Sequence, residues 1–143
     1  METEPECIYP LDHDMLIIED SPASAIYLED LLRNLGYQNI HICNDGKTGL
    51  KKFMQLSGLK KLPLVFLDYY LPDIDAISVF DQIQKIQIET KIIIVTVAEK
   101  EEDGIAYLTS HGAYHYLQKP LNIEEFKEVM ETFEKEQTIF TEK

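Results

Sequence analysis

Five short hydrophobic segments recur along the chain, and they follow two different patterns. Residues 15–18, 64–67 and 91–96 are almost uniformly apolar, whereas residues 40–43 and 114–117 alternate between apolar and polar side chains. A continuous apolar run is typical of a parallel strand that is buried on both faces, and alternation is typical of a strand with one solvated face. The pattern therefore predicts three central strands and two edge strands.

Helical periodicity fills the intervals between these segments, with apolar residues three and four positions apart. Ser21-Pro22 suits a helix start, because serine caps a helix and a proline at the first helical position has no N–H to lose. Gly104 weakens the fourth helix by about 1 kcal/mol relative to alanine. The predicted helices are residues 22–35, 47–57, 77–87, 101–110 and 123–140. Their predicted inward-facing residues are Ala25, Leu28, Leu32, Leu35, Leu50, Phe53, Met54, Val79, Phe80, Ile83, Ile86, Ile123, Phe126, Met130 and Phe133.

Strands that alternate with helices along one chain indicate an α/β domain with a parallel sheet and right-handed crossovers. If the apolar strands are central and the alternating strands lie at the edges, the strand order is 2-1-3-4-5. That is the order of a doubly wound, flavodoxin-like three-layer sandwich. The length of 143 residues suits one such domain, which we place at residues 14–143. Residues 1–13 are polar and acidic and contain two prolines, so we expect them to form a flexible leader.

Composition excludes several classes of partner. The net charge of −13 argues against nucleic acid, since phosphate neutralisation requires a basic face. No apolar run is long enough to span a bilayer, and the acidic amino terminus does not resemble a signal peptide, so we expect a cytoplasmic protein without membrane association. Cys7 and Cys43 match neither a disulfide framework nor a zinc site and are expected to be reduced. One basic cluster is interpreted as solvated helix surface: Lys47, Lys51, Lys52, Lys60 and Lys61.

Polar side chains stand at the carboxyl ends of four of the predicted strands. Glu19 and Asp20 follow the first strand, Asp68 follows the third, Thr96 ends the fourth and Lys119 follows the fifth. The carboxyl ends of parallel strands share one rim of the sheet, which is where open α/β sheets bind ligands. Clustered carboxylates raise one another's pKa values unless a cation is present. A hard divalent ion with oxygen ligands, of which Mg²⁺ is the best match, would relieve that repulsion.

These motifs, in this order, resemble the receiver domain of two-component response regulators over essentially residues 14–140. Each motif is weak by itself, but five of them in order at the spacing of the family are specific. The matching motifs are Glu19-Asp20, the Asp68 strand with Leu71-Pro72 behind it, Thr96 after its apolar strand, and Gly112-Ala113 leading through Tyr116 to Lys119-Pro120.

The resemblance implies that Asp68 accepts a phosphoryl group from a phosphohistidine. The donor would be a sensor histidine kinase or a histidine phosphotransfer protein, which makes the chain a phosphoacceptor signalling protein rather than an enzyme with a turnover substrate. The resemblance also implies a Mg²⁺ site formed by Glu19, Asp20, Asp68 and the backbone carbonyl of Tyr70.

The resemblance further implies a conformational switch. Lys119 would supply positive charge, and Thr96 would donate a hydrogen bond to the phosphoryl group. Tyr116 would then rotate inward into the space that Thr96 leaves, and the surface of the fourth helix, fifth strand and fifth helix would change for a downstream protein target. The weak helix around Gly104 is the expected bistable element.

Three positions depart from the family pattern. Ala76 stands where glycine is usual, so we expect the preceding loop to differ in conformation. Val97 follows Thr96 where alanine or glycine is usual, and we expect its branched side chain to narrow the access to the phosphoryl group. Tyr70 places a large ring near the mouth of the site, and we expect it to slow the loss of the phosphoryl group by screening the attacking water.

Two further sets of residues are expected to take no part in the chemistry. Asp73-Ile-Asp75 has the Asp-x-Asp spacing of haloacid dehalogenase-like phosphatases, but it follows a proline and not a buried strand. The histidines are expected to face solvent and are poor phosphodonor candidates: His13, His41, His111 and His115.

Three classes of function are compatible with this fold. The first is a stand-alone response regulator that acts through protein contacts, since the last predicted helix ends about where the chain ends. The second is a phosphorylation-independent interaction module; the complete set of acceptor, hydroxyl and ammonium disfavours it, while Ala76 and Val97 leave it open. The third is a flavodoxin-like electron carrier, which the acidic loop after the first strand disfavours because it would repel a phosphate.

Overall fold

The computed structural model describes residues 12–58 and 62–141, with side chains described up to residue 137. The predicted leader, apart from Asp12 and His13, lies outside the described residues, as do Cys7 and two lysines of the basic cluster, Lys60 and Lys61. The elements follow one another as β1 (Met15–Ile18), α1 (Pro22–Asn34), β2 (Ile40–Cys43), α2 (Gly46–Ser57), β3 (Leu64–Leu67), α3 (Ala76–Ile86), β4 (Ile92–Thr96), α4 (Asp103–Ser110), β5 (His115–Gln118) and α5 (Ile123–Thr141).

The strands form one parallel sheet in the order β2-β1-β3-β4-β5, which confirms the predicted topology. Every residue of β1, β3 and β4 is buried, whereas β2 and β5 are partly exposed. The hydrophobic pattern therefore predicted strand position correctly, because only a strand covered by helices on both faces must be apolar throughout.

Alternate residues of the central strands enter two separate cores, one on each face of the sheet. Leu16, Ile18 and their counterparts on β3 and β4 pack against α2, α3 and α4. Met15, Ile17 and their counterparts pack against α1 and α5. The result is the predicted three-layer sandwich, and none of the helices within the described ranges is long and apolar enough to cross a membrane.

Several predicted inward-facing residues are exposed. Met54 is 56% exposed because the buried face of α2 runs through Gly49, Phe53 and Leu56. Ile86 (39% exposed) and Ile123 (44%) are the last residue of α3 and the first of α5, where a helix end extends past the sheet. The prediction was wrong at these positions because periodicity does not define how far a helix face stays in contact with the core.

His13 also differs from the prediction, because it is buried rather than solvent-facing. Its ring makes an edge-to-face contact with Phe133 of α5, with 5.0 Å between the ring centroids. His41 is partly buried, and its Nε2 lies 2.9 Å from a carboxylate oxygen of Asp14. Both histidines therefore have structural contacts next to the sheet.

Two glycines let α2 approach its neighbours closely. A Cβ at Gly49 would lie 2.6 Å from Ile18 Cδ1, and a Cβ at Gly46 would lie 2.5 Å from Ile74 Cγ1. Both distances are shorter than real carbon contacts, so these two positions require glycine for close packing and not for an unusual backbone conformation.

Asp73, in the loop between β3 and α3, caps the amino terminus of α2. Its two carboxylate oxygens accept hydrogen bonds from the N–H groups of Gly46 (2.8 Å) and Lys47 (2.9 Å). The N-cap residue Asp45 accepts from the N–H of Thr48 at 2.8 Å. Desolvation is the largest single influence on the pKa of Asp73 and raises it, but the backbone hydrogen bonds together outweigh it and hold the pKa below its ordinary value.

We expect Gly49→Ala to destabilise the fold by about 1–3 kcal/mol, because the added methyl group overlaps the fully buried Ile18. Gly58→Ala is the matched control, since a Cβ there meets only the Gln55 carbonyl at 3.7 Å. Urea denaturation of both variants measures the difference. Equal stability of the two variants would contradict the close packing of α2 on β1.

We expect Asp73→Asn to lower the free energy of unfolding by about 0.3–1 kcal/mol at neutral pH, since an anionic cap at a helix amino terminus is lost. The folded-state pKa of Asp73 lies below the unfolded value, so its ionised form stabilises the fold above about pH 4 and this contribution disappears as the pH falls through the folded-state pKa. Urea denaturation at a series of pH values checks this. A difference between variant and wild type that is as large in acid as at neutral pH would refute the ionic cap.

Candidate functional site

Two buried carboxylates lie at the carboxyl edge of the sheet. Ile18 and Leu67 are register partners in β1 and β3, so the residues that follow them, Glu19 and Asp68, leave the sheet side by side. The N–H of Asp68 donates to the Ile18 carbonyl at 3.0 Å, which extends the hydrogen-bond ladder by one residue. Glu19 is 5% exposed and Asp68 is 7% exposed.

The ammonium group of Lys119 bridges these two carboxylates. Its Nζ lies 2.6 Å from Glu19 Oε1 and 3.4 Å from Asp68 Oδ2. The backbone N–H of Lys119 donates to the Thr96 carbonyl at 2.8 Å, and the Lys119-Pro120 peptide bond is cis. Three residues that are distant in the sequence therefore meet because β1, β3 and β5 end at the same rim.

Burial is the main reason that the pKa of Glu19 lies above its ordinary value. The hydrogen bonds from the Lys119 ammonium and from the Ser21 N–H lower the pKa, and the neighbouring Asp68 carboxylate raises it. The net direction is upward because the cost of burying the carboxylate outweighs the two hydrogen bonds that favour its ionised form.

Thr96 and Tyr116 are linked through the backbone of one residue, Ala98. The hydroxyl of Thr96, which is completely buried, accepts from the Ala98 N–H at 3.3 Å. The hydroxyl of Tyr116 donates to the Ala98 carbonyl at 2.5 Å, and its ring packs against the core on the α2–α4 side. The loop between β4 and α4 is therefore held by both predicted switch residues.

The other predicted metal ligands are less enclosed. Asp20 is exposed, and the N–H of Tyr70 donates to Asp68 Oδ1 at 3.2 Å while its ring is 49% exposed and contacts Tyr69 edge-to-face. Within residues 12–58 and 62–141, no group of three or more histidine, cysteine or acidic side chains is arranged so that it could hold a metal ion. The predicted Mg²⁺ ligand set therefore stays a prediction.

Ala76 and Val97, two of the residues that depart from the family pattern, lie at a helix start and at the rim of the sheet. Ala76 is buried as the first residue of α3, directly after its N-cap Asp75. Val97 is 57% exposed at the rim. It lines a groove of about 440 Å³ next to Glu19 and Lys119; the other lining residues are Ala23, Ser24, Tyr27, Leu28, Val95, Pro120 and Leu121. The sequence gives no signal for this groove, because its lining comes from α1, β4 and the segment after β5, and no local pattern shows that these residues face one another.

A contact between Tyr69 and Gly104 was also missed. A Cβ at Gly104 would overlap the Tyr69 hydroxyl and lie 2.6 Å from two of its ring carbons. The sequence indicated only that Gly104 weakens a helix. Its packing partner lies 35 positions away and could not be identified from the sequence.

Comparisons with known proteins agree with this geometry. A family model of the response regulator receiver domain matches residues 15–131. The response regulator ArlR of Staphylococcus epidermidis is 37% identical over 112 residues, which cover 78% of this chain and 48% of ArlR. The chain spans about half the length of the first curated relatives it matches.

Solved structures show the same fold. The CheY-like receiver domain protein of Methanospirillum hungatei has a TM-score of 0.77 at 24% identity, with 89% of this chain and 97% of that chain covered. The CheX-CheY-BeF3-Mg complex of Borrelia burgdorferi has a TM-score of 0.76 at 20% identity, with coverage of 85% and 88%. The chain therefore belongs to the response regulator receiver domain family, whose members are signalling domains of two-component systems and typically bind Mg²⁺.

Proposed function

We propose that Asp68 is the phosphoacceptor of this receiver domain and that the donor is a phosphohistidine on a sensor histidine kinase or a histidine phosphotransfer protein. The observation that carries the proposal is the contact of the Lys119 ammonium with both Glu19 and Asp68. A lysine in that place offsets the charge of the carboxylates and remains beside the oxygens of an incoming phosphoryl group.

In this reaction an ionised Asp68 oxygen forms a bond to phosphorus while the phosphorus–nitrogen bond to the donor imidazole breaks. The electron pair of that bond leaves with the donor ring, whose other nitrogen carries a proton, so the imidazole ends neutral. The transition state is loose, so the protein mainly orients the groups and stabilises charge on the transferred oxygens. Lys119 supplies a positive charge, and the Thr96 hydroxyl donates a hydrogen bond to a phosphoryl oxygen.

The donor atoms at the rim fit a hard divalent ion in their chemistry. They are carboxylate oxygens, which are the ligands that Mg²⁺ prefers, and two of them lie side by side on Glu19 and Asp68. Glu19, Asp20, Asp68 and the backbone carbonyl of Tyr70 would hold Mg²⁺. Bound there, the ion supplies charge neutralisation for the acceptor and the phosphoryl oxygens. The Borrelia burgdorferi complex is a relative that contains Mg²⁺ together with BeF3.

The signal would leave the site through Ala98. When Thr96 turns its hydroxyl toward a phosphoryl oxygen, it releases the Ala98 N–H that it now accepts from. The carbonyl of the same residue holds the Tyr116 hydroxyl, so the loop and the tyrosine are expected to adjust together. The surface of α4, β5 and α5 would change as a consequence, and a downstream protein would recognise the change.

The phosphorylation-independent interaction module remains the second candidate, favoured only by Ala76 and Val97. Whether the receiver acts alone and without nucleic acid stays a prediction, because the chain spans about half the length of the curated relatives it matches and those include regulators of transcription. The domain bounds of 14–143 and the cytoplasmic location likewise stay predictions.

We expect acetyl phosphate with Mg²⁺ to add one phosphoryl group to the wild-type chain and none to Asp68→Asn, as measured by intact mass. Omission of Mg²⁺ should reduce the yield strongly, and Lys119→Met should reduce it as well because the carboxylates lose their counter-charge. Asp30→Asn, which removes an exposed carboxylate of α1 away from the rim, is the control and should label as wild type does. No adduct on a folded wild-type chain would favour the interaction module, and an adduct on Asp68→Asn would reject the assigned acceptor.

We expect Tyr70→Ala to shorten the lifetime of the phosphorylated chain by more than about twofold, because the partly exposed ring next to Asp68 would no longer screen the attacking water. Tyr70→Phe keeps the ring and should behave as wild type does. The decay of the adduct mass after removal of acetyl phosphate gives the rate. A lifetime of Tyr70→Ala within twofold of wild type would show that the ring does not shield the site.

A further inference from the structure

Tyr69, the residue next to the phosphoacceptor, lies over the first turn of α4. The ring occupies the space that a side chain at position 104 would need, since a Cβ on Gly104 would overlap the tyrosine hydroxyl and approach two ring carbons to 2.6 Å. The ring is partly buried and packs against the core on the α2–α4 side of the sheet. We call this contact the Tyr69–Gly104 slot.

The amino terminus of α4 lacks the side-chain cap that the first three helices have. The N-cap residues of α1, α2 and α3 each accept a backbone hydrogen bond through their side chain, whereas Glu102, the N-cap of α4, makes no such bond. The helix has eight residues, of which Ile105 and Leu108 are the buried ones. Its first turn is therefore held by the burial of Ile105 and by the packing of Tyr69 rather than by a side-chain cap.

The surroundings of the ring favour its neutral, packed state. Burial is the main reason that the pKa of the Tyr69 hydroxyl lies above its ordinary value, and Glu102, Asp75, Tyr70 and Asp103 raise it further. An ionised hydroxyl in this acidic surrounding would be repelled, so the tyrosine stays protonated and acts through its shape.

The other end of the loop between β3 and α3 is fixed independently. Asp73 is tied to the first turn of α2 by two hydrogen bonds, and Ile74 packs against Gly46. Because Asp73 and Ile74 anchor one end of the loop on α2, a movement of the backbone at Asp68 is taken up by the residues between Asp68 and Asp73. Tyr69 is the first of these residues, so the movement displaces its ring in the Tyr69–Gly104 slot.

We propose that Tyr69 is a positioning residue that couples the phosphoacceptor loop to α4 through the Tyr69–Gly104 slot. The proposal rests on the assignment of Asp68 as acceptor and concerns the regulation of that site. It describes a connection separate from the Ala98 link, because it starts from the residue that follows Asp68 and not from Thr96. Coupling of this kind is reciprocal at equilibrium: if phosphorylation changes the affinity of α4 for a protein by some factor, that protein shifts the phosphorylation equilibrium of Asp68 by the same factor.

The slot makes a specific prediction about substitutions. Gly104→Ala forces the ring out, although alanine by itself favours a helix. Tyr69→Ala empties the slot, and in that background Gly104→Ala has nothing to displace. Tyr69→Phe keeps the ring and is the matched control, because it removes only the hydroxyl.

The test is a double-mutant cycle of Tyr69→Ala and Gly104→Ala with two measurements. The first is the rate at which acetyl phosphate with Mg²⁺ labels Asp68, and the second is amide hydrogen exchange in residues 69–75 and 103–110. We expect Gly104→Ala to change the labelling rate at least about fivefold in the wild-type background and less than about twofold in the Tyr69→Ala background. We also expect it to change exchange in residues 69–75 only when the ring is present, whether or not the chain is phosphorylated.

Each outcome decides a separate question. Equal effects of Gly104→Ala in both backgrounds would reject the slot as a coupling device, as would a Tyr69→Phe chain that behaves like Tyr69→Ala. A wild-type chain that gains no phosphoryl group would reject the proposed function, and the exchange of residues 69–75 would still decide the coupling. If Gly104→Ala alone fails to fold while the double variant folds, the clash is confirmed, and the coupling is then decided by comparing the labelling rate and the exchange of residues 103–110 in Tyr69→Ala with those in Tyr69→Phe.

Discussion

The contact of one ammonium with two buried carboxylates is the constraint around which the functional edge of this domain is built. Glu19, Asp68 and Lys119 come from three different strand ends, and the ion pairs with the partly buried lysine offset part of the cost of burying the two carboxylates. Burial nevertheless raises the pKa of Glu19 despite its lysine partner. Two acidic side chains and one ammonium are thus gathered at the rim, and a hard cation would find carboxylate oxygens there.

Two helices pack closely against the loop between β3 and α3 because each has a glycine at the contact, and this packing fixes the loop that begins at Asp68. Gly46 accommodates Ile74 on one side, where Asp73 also caps α2, and Gly104 accommodates Tyr69 on the other. The loop is thus attached to two helices, one of them well capped and one poorly capped. A local change at Asp68 is consequently transmitted more readily toward α4 than toward α2, because the less constrained element moves at lower free-energy cost.

Membership in the receiver family explains the shared architecture, while the departures give this chain its own features. Ala76 is accommodated as the first residue of α3, so the substitution falls at a helix start that Asp75 caps. Val97 lies at the mouth of the groove between α1 and the segment after β5, where its branched side chain adds apolar surface next to Lys119. Both departures therefore leave the acidic rim intact.

The sequence by itself determined the fold class, the strand order and the polar groups at the strand ends. A strand covered by helices on both faces must be apolar throughout, whereas an edge strand need not be, and parallel strands place their carboxyl ends together. It did not determine which helix residues lose contact with the core, as Met54, Ile86 and Ile123 demonstrate, nor that His13 packs on Phe133. Only the tertiary structure decided these contacts and the pairing of Tyr69 with Gly104. A local pattern shows which face of an element is apolar, but it does not show how closely two elements pack, because that distance depends on side chains far apart in the chain.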